Sequence, residues 1–218
     1  MEQLATPDTA IAGLHASAPT VLPFAPEYAI RAFLLEREHG NVLVYSVPDL
    51  AAEQPAIDAL GGAERHYLSH RHEAMFLPDA PLAPLFADER EADAVEQPHH
   101  VRGTWSRRHL LDDDLEVIPI PGHTPGATAF LWDSGAERIL FTGDTLYLGD
   151  GEWVAGLLRS SDRDAFVRSL ELIRELEFDV LVPWAAGVGQ PWHARTDRDD
   201  TRRRIDAIVA RIRRGEDG

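Results

Sequence analysis

Two apolar runs separated by turn-forming residues lie in the middle of this chain. They occupy residues 117–148, with Asp, Ser and Gly between them at positions 133–135. Apolar, partly β-branched runs on both sides of such a turn predict a β-hairpin. His123 stands just before the first predicted strand of this hairpin, and Asp144 just after the second. Pairing of the strands would therefore bring an imidazole and a carboxylate to the same end.

The backbone around both residues is constrained by proline and glycine. Pro and Gly flank His123 on both sides, at positions 121–122 and 125–126, and Gly143 precedes Asp144. Proline fixes its own backbone and glycine permits tight turns, so both segments are predicted to be defined non-helical loops. A histidine and a carboxylate held in this way suit a metal ion.

The N-terminal half predicts an extended arm, a second hairpin and a helix. Residues 1–25 show little periodicity, whereas residues 28–36 and 41–47 read as paired strands around a turn at 39–41. Asp49 is predicted to cap a helix, and this helix is expected to end at the glycines 61–62. A short strand at 65–69 follows and leads into two histidines.

The C-terminal half predicts two amphipathic helices around one further strand. Residues 76–114 have a weaker pattern, with an acidic, helix-like stretch inside a variable region. A capping arrangement at 161–164 precedes a helix with one apolar face, and a strand is predicted at 179–183. The last helix has an arginine-rich face and an opposite apolar stripe formed by Ile205, Ile208, Val209 and Ile212.

Composition narrows the class of protein. The chain of 218 residues is 44% hydrophobic and has no apolar run long enough for a membrane span, so we expect a single domain over residues 1–218. No basic segment followed by an apolar one opens the chain, which predicts a cytoplasmic location. The net charge of −16 argues against nucleic acid as a partner. A small-molecule substrate is the expected partner, and no oligomeric state is predicted.

The absence of cysteine restricts any metal site to His, Asp and Glu ligands. His70 and His72 are two residues apart, so both would project to one side of an extended segment. Two exposed histidines near a strand end would be the simpler interpretation of an isolated pair. Together with His123 and Asp144, however, they supply three imidazoles and one carboxylate. This set suits one Zn(II) ion, and a subset of two histidines and one carboxylate also suits Fe(II).

The order of these motifs resembles that of the metallo-β-lactamase-fold superfamily. PGHTPG followed by a hairpin and FTGDT resembles its third and fourth metal motifs, and LSHRHEAM stands where the superfamily carries H-x-H-x-D-H. The resemblance covers roughly residues 28–182. It implies an α+β fold, the αββα sandwich of that superfamily. It also supports His70, His72, His123 and Asp144 as metal ligands, with Asp144 in addition serving catalysis.

The chain departs from the superfamily pattern at the second metal. Ala74 and Met75 replace the Asp and His of the motif, and Pro-Trp-Ala-Ala-Gly at 183–187 replaces a C-terminal histidine turn. Glu73 is one residue early and is expected to point away from the site. His193 could fold back as a substitute ligand or proton donor, or could be a surface histidine beside a tryptophan. The joint loss predicts one metal ion rather than two.

Three functions remain open on these residues. The first is a metal-dependent hydrolase, resembling thioesterases, lactonases and glyoxalase II-like members, which acts on a small ester, thioester or lactone through one metal-bound water. The second is a mononuclear iron dioxygenase resembling the persulfide dioxygenases, with His70, His123 and Asp144 as its triad. The third is a catalytically silent binding protein with the same fold.

Overall fold

The computed structural model describes residues 11–96 and 99–216. In chain order, the elements of the first half are β1 (Leu14–Ala16), β2 (Thr20–Leu22), β3 (Ala25–Ile30), β4 (Phe33–Leu35), β5 (Val42–Val44), α1 (Gln54–Ala59), β6 (Arg65–Tyr67), β7 (Leu85–Asp88), α2 (Glu89–Val95) and β8 (Val101–Trp105). Two 3-10 helices accompany them, Leu50–Glu53 before α1 and Arg71–Phe76 after β6.

The second half of the chain adds nine strands and two long helices within the described residues. They are β9 (His109–Leu111), β10 (Leu115–Pro119), β11 (Thr128–Asp133), β12 (Arg138–Phe141), β13 (Leu146–Gly149), β14 (Glu152–Ala155), α3 (Arg163–Glu175), β15 (Val180–Val182), β16 (Ala185–Gly187), β17 (Ala194–Arg195) and α4 (Arg198–Arg213). No helix in the described part of the chain is both long and apolar enough to cross a membrane.

The strands form two large mixed sheets and a smaller third one. The first has the order β1-β4-β5-β6-β7-β8, the second β17-β15-β12-β11-β10-β9, and the third β14-β13-β16-β3-β2. In the second sheet β11 pairs antiparallel with β12, placing Phe130 opposite Phe141. β12 pairs in parallel with β15. The predicted central hairpin is therefore confirmed, and it occupies the middle of its sheet.

The alternation of side chains along these strands produces two apolar layers per sheet. Phe33 from the first sheet and Phe141 from the second meet between the sheets, with ring centroids 5.9 Å apart. On the outer face of the second sheet, Leu131 and Leu140 pack with residues of α3 and α4. On the outer face of the first sheet, α1 covers Leu34 and Leu43, while α2 covers a separate apolar cluster. The layers are thus helix, sheet, sheet, helix, as expected for an αββα sandwich.

Several local predictions are confirmed by the structure. Asp162 caps α3 by accepting a hydrogen bond from the backbone N–H of Ala165 over 2.9 Å. The buried faces of α3 and α4 contain the predicted apolar positions. The helix predicted after Asp49 ends at Ala59, and the two glycines expected to stop it, Gly61 and Gly62, follow in a turn with positive φ.

Three other local predictions are wrong. Residues 28–36 do not form one strand, because the chain leaves the third sheet at Ile30 and enters the first at Phe33. Asp49 makes no capping hydrogen bond through its side chain, and a 3-10 turn intervenes before α1. The predicted extended arm also contains β1 and β2, which pair with β4 and β3. Its residues 1–10 lie outside the described part of the chain.

Three loops meet at one edge of the two large sheets. One follows β6, one joins β10 to β11, and one follows β12. The first two loops are directly connected, since the backbone N–H of Thr128 donates to the carbonyl oxygen of Ser69 over 2.8 Å. These loops carry the histidines and the aspartate identified in the sequence.

Candidate metal centre

His70 and His72 converge because the chain turns sharply between them. His70 has extended backbone angles, φ −165° and ψ 166°, and the 3-10 helix Arg71–Phe76 begins directly after it. His72 therefore lies in the first turn of this helix, and the two ring centroids are 5.1 Å apart. The expectation that one extended segment carries both side chains is wrong. The outcome, two imidazoles facing a common point, is nevertheless the predicted one.

His123 is oriented by the backbone of a neighbouring loop. Its Nδ1 donates a hydrogen bond to the carbonyl oxygen of Gly156 over 2.5 Å. A neutral imidazole with its proton on Nδ1 presents an unprotonated Nε2. The Nε2 atom of His123 faces Nδ1 of His72 at 3.1 Å. This is the tautomer that a metal ligand needs.

Asp144 is held by a turn that tolerates only glycine before it. Gly143 has φ +56°, and a Cβ atom on it would lie 2.2 Å from Oγ of Ser69. Its backbone N–H donates to the hydroxyl oxygen of Tyr45 over 2.8 Å. Oδ2 of Asp144 lies 3.3 Å from Nε2 of His70 and 3.7 Å from Nε2 of His123.

The four side chains together have the dimensions of a metal site. One potential ligand atom from each of His70, His72, His123 and Asp144 lies within 4.8 Å of all the others. The donor atoms of a tetrahedral zinc site, each about 2.0 to 2.1 Å from the ion, lie about 3.3 Å apart. The separations of 3.1, 3.3 and 3.7 Å bracket this value. Nε2 of His70 is also buried without a hydrogen bond of regular geometry, so the residues fit a divalent ion.

Burial and mutual charge effects shift the pKa values of the four clustered side chains in different directions. Burial opposes protonation of His70, yet the carboxylates of Asp144 and Glu73 raise its pKa to about 10. Burial and the charge of His70 lower the pKa of His123 to about 4 and also lower that of His72. Burial alone would raise the pKa of Asp144, but the imidazoles around it, His70 above all, lower it. At neutral pH the group thus holds two neutral imidazoles, a carboxylate and one proton that a metal ion would displace.

Comparison with known proteins assigns the chain to a family. The sequence profile of the metallo-beta-lactamase superfamily matches residues 32–185, a range that includes the three loops and all four clustered residues. The chain belongs to the metallo-beta-lactamase superfamily. The fold and the order of the motifs described above agree with this assignment.

Curated relatives of this chain include hydroxyacylglutathione hydrolases. A hydroxyacylglutathione hydrolase from Methylobacillus flagellatus is 31% identical over 121 residues, covering 52% of this chain and 46% of that protein. Another from Xanthomonas axonopodis pv. citri is 45% identical over 71 residues, covering 32% of this chain and 25% of that protein. The matched region therefore spans less than half the length of these curated relatives.

Solved structures agree on the fold. A metallo-beta-lactamase from Pontibacter korlensis has a TM-score of 0.67 and 16% identity, covering 92% of this chain and 96% of that one. At such low identity the similarity concerns the fold alone.

Ala74 and Met75 stand where the superfamily motif given above has Asp and His. Ala74 has no donor atom, and the thioether of Met75 is a poor ligand for a hard or borderline metal. Met75 is 64% exposed. Near the C-terminal departure, the indole of Trp184 packs against the imidazole of His70 with centroids 5.3 Å apart, and against Phe76 at 5.5 Å. Over residues 11–96 and 99–216, the four-residue group is the one group found with the makings of a metal site.

The other candidate residues lie outside this group. Glu73 is buried behind His70, with Oε1 3.2 Å from Nδ1, the ring nitrogen remote from Asp144. His193 is buried against Trp192, with ring centroids 4.4 Å apart, and is not a surface residue.

Two residues that support the loops are not apparent from the sequence. Glu91 of α2 accepts a hydrogen bond from the backbone N–H of Gly126 and pairs with Arg71, so it joins the loops of His72 and His123. Tyr45 has φ +67°, a value rarely adopted by non-glycine residues. Neither residue belongs to a local pattern, because each acts across long sequence separations.

Proposed function

We propose that this protein is a metal-dependent hydrolase with one ion bound by His70, His72, His123 and Asp144. The observation that supports it most strongly is the convergence of three imidazoles and one carboxylate from three separate loops, with separations suited to tetrahedral zinc. Three histidine nitrogens from rigid loops, with one further position for a carboxylate or water, are typical of a catalytic rather than a closed structural site.

The proposed ion is Zn(II). A zinc ion in this environment lowers the pKa of bound water from about 15.7 to near 7 and polarises a carbonyl group. The protein's own contacts would orient the ligands. The Gly156 carbonyl oxygen accepts the Nδ1 proton of His123 and so leaves Nε2 free to bind a metal, and the turn at Gly143 holds Asp144 close to His70. The Asp144 carboxylate, whose pKa the surrounding imidazoles lower in spite of burial, would either ligate the ion or accept a proton from a water molecule bound to it.

The proposed substrates are small esters, thioesters or lactones. The names of the curated relatives support a thioester, since both are hydroxyacylglutathione hydrolases. Trp184 and Phe76, which pack together beside His70, offer no carboxylate or imidazole to a second ion, which favours a substrate carbonyl bound by one ion. The activity is expected to be weaker than that of a two-metal enzyme.

The iron dioxygenase and the catalytically silent binding protein are the two alternatives to a hydrolase. An iron dioxygenase would use a triad of two histidines and one carboxylate, but here His72 presents a third imidazole to the same point. A catalytically silent binding protein would not need a histidine tautomer and ligand separations that suit a metal ion, whereas this chain has both. Purified protein that contains iron and consumes oxygen would support the dioxygenase. Protein that is inactive on every substrate would support the binding protein.

The test is a panel of esters, thioesters and lactones assayed with zinc-loaded protein. The matched pair of variants is His123→Ala, which removes a ligand, and His100→Ala, which changes an exposed histidine. Hydrolysis of at least one substrate class, lost in His123→Ala and kept in His100→Ala, is the expected result. The chromogenic β-lactam nitrocefin should be turned over very weakly or not at all, because the second-site ligands are missing. Equal activity of the wild type and His123→Ala would refute the proposal.

A further inference from the structure

Glu73 is a fully buried carboxylate directly behind the first metal-site histidine. Its Oε1 accepts hydrogen bonds from the backbone N–H of Ser69 over 2.8 Å and from Oγ of Ser69 over 2.5 Å. The same oxygen lies 3.2 Å from Nδ1 of His70. Among the described residues, His70 is the basic side chain that pairs with Glu73. Its other oxygen, Oε2, is buried without a hydrogen-bond partner in the described structure.

The protons in this cluster can be assigned from donor and acceptor counts. The hydroxyl of Ser69 has a single proton, and it is donated to Oε1 of Glu73. Oγ of Ser69 lies 2.9 Å from Nδ1 of His70. Since its only proton is already used, this hydroxyl can form that hydrogen bond only as the acceptor. The proton of a neutral His70 is therefore on Nδ1, and Nε2 keeps its lone pair for the metal.

We propose that Glu73, through Ser69, is a positioning residue that fixes the tautomer and orientation of His70 for metal binding. The inference rests on the proposed metal site but assigns a role to a residue that is not itself a ligand. Carboxylates hydrogen-bonded to the outer nitrogen of a metal-bound histidine raise its basicity, and their loss commonly weakens metal affinity 10- to 100-fold.

A purely structural role must be separated from this one. Glu73 also accepts from the backbone N–H of Ser69 and, at 3.3 Å, of His70, so it stabilises the turn that begins the 3-10 helix. Glu73→Gln keeps a carbonyl oxygen for all these donors and replaces the unpartnered oxygen, Oε2, by an amide nitrogen. Ser69→Ala keeps the carboxylate and its bonds to the backbone but removes the hydroxyl that links it to His70. Glu89→Gln changes an exposed carboxylate on α2 and serves as the control.

Zinc affinity of the full chain, measured by competition with a chromophoric chelator, is the primary readout. Glu73→Gln and Ser69→Ala should each bind zinc about 10- to 100-fold more weakly than the wild type, and Glu89→Gln should match the wild type. Urea unfolding of the metal-free proteins should show that Glu73→Gln is folded. Should Glu73→Gln fail to fold, Ser69→Ala carries the same test.

A spectroscopic readout distinguishes orientation from general stability. In nitrogen-15 NMR spectra of the zinc-loaded wild type, His70 should carry its proton on Nδ1 in a slowly exchanging hydrogen bond, and that signal should shift or broaden in Glu73→Gln and Ser69→Ala. Wild-type zinc affinity and an unchanged Nδ1 signal in both variants would show that Glu73 only supports the turn. A wild-type protein that binds no zinc would instead overturn the metal site itself, and with it this role.

Discussion

The imidazole of His123 is locked to the backbone of Gly156 by a hydrogen bond of 2.5 Å. The same glycine packs so closely on the turn of Asp144 that a Cβ atom on it would lie 1.8 Å from the Asp144 carbonyl oxygen. Gly156 therefore contacts the residues that carry both a histidine and the carboxylate of the proposed site. Substitution at this position should disturb metal binding and stability together.

Gly156→Ala is expected to lower the free energy of unfolding by about 1–3 kcal/mol, because the added methyl group forces the backbone apart. Zinc affinity should fall as well. Urea unfolding and chelator competition measure the two effects.

Gly151→Ala is the control: no atom lies within 4 Å of its added Cβ, and φ is +79°. It should cost about 1–2 kcal/mol from backbone strain alone and leave zinc affinity unchanged. Normal zinc binding by Gly156→Ala would contradict the role given to this contact.

Tyr45 supports the same turn from the opposite sheet. Its hydroxyl accepts from the N–H of Gly143 over 2.8 Å and donates to the carbonyl oxygen of Val182 over 2.9 Å. Tyr45→Phe would leave the N–H of Gly143 without this partner, whereas the Val182 carbonyl oxygen would keep the N–H of Thr142 at 3.4 Å. An unpaired buried N–H costs about 1–3 kcal/mol of stability. Urea unfolding should show this loss, and zinc affinity should decrease because Asp144 is less firmly placed. Unchanged stability would mean that water replaces the hydroxyl.

The parts of the site that were predictable from sequence are those encoded locally. The central hairpin follows from two apolar runs and a turn, and its ends necessarily bring His123 and Asp144 together. His70 and His72 were predictable as a pair, although the 3-10 turn that aims them was not. Their spacing fits both an extended segment and this turn, so the sequence does not distinguish the two.

The remaining features depend on contacts between distant segments. Tyr45 and Gly143 are 98 positions apart, and Glu91 and Gly126 are 35 apart. No periodicity or motif links such pairs. The break at Arg31 and Ala32 is not predictable for a similar reason: one arginine between the apolar segments 28–30 and 32–35 does not by itself indicate that the chain passes from one sheet to another. Tertiary pairing overrides the local pattern there.

His66 predicts how stability depends on pH. Burial, only partly offset by a hydrogen bond to the Tyr45 carbonyl oxygen, lowers its pKa from 6.5 to about 4. The unfolded chain therefore binds a proton at a higher pH than the folded one, and stability falls as the pH drops from 6.5 toward 4. Between pH 7 and pH 5 this histidine should account for a loss of about 2 kcal/mol.

The measurement is urea unfolding of metal-free protein at both pH values, compared with His66→Gln. Glutamine can still donate to the Tyr45 carbonyl oxygen but does not titrate. The wild type should therefore lose about 2 kcal/mol more than the variant on acidification. Equal losses would show that His66 is protonated or exposed in the folded state.

The central claim is one metal ion held by His70, His72, His123 and Asp144. It is tested most directly by elemental analysis of protein purified without added ions or chelator, for the wild type, His123→Ala and His100→Ala. One equivalent of metal per chain in the wild type and His100→Ala, with nearly none in His123→Ala, is the predicted result. Two equivalents in the wild type, or an unchanged content in His123→Ala, would contradict it.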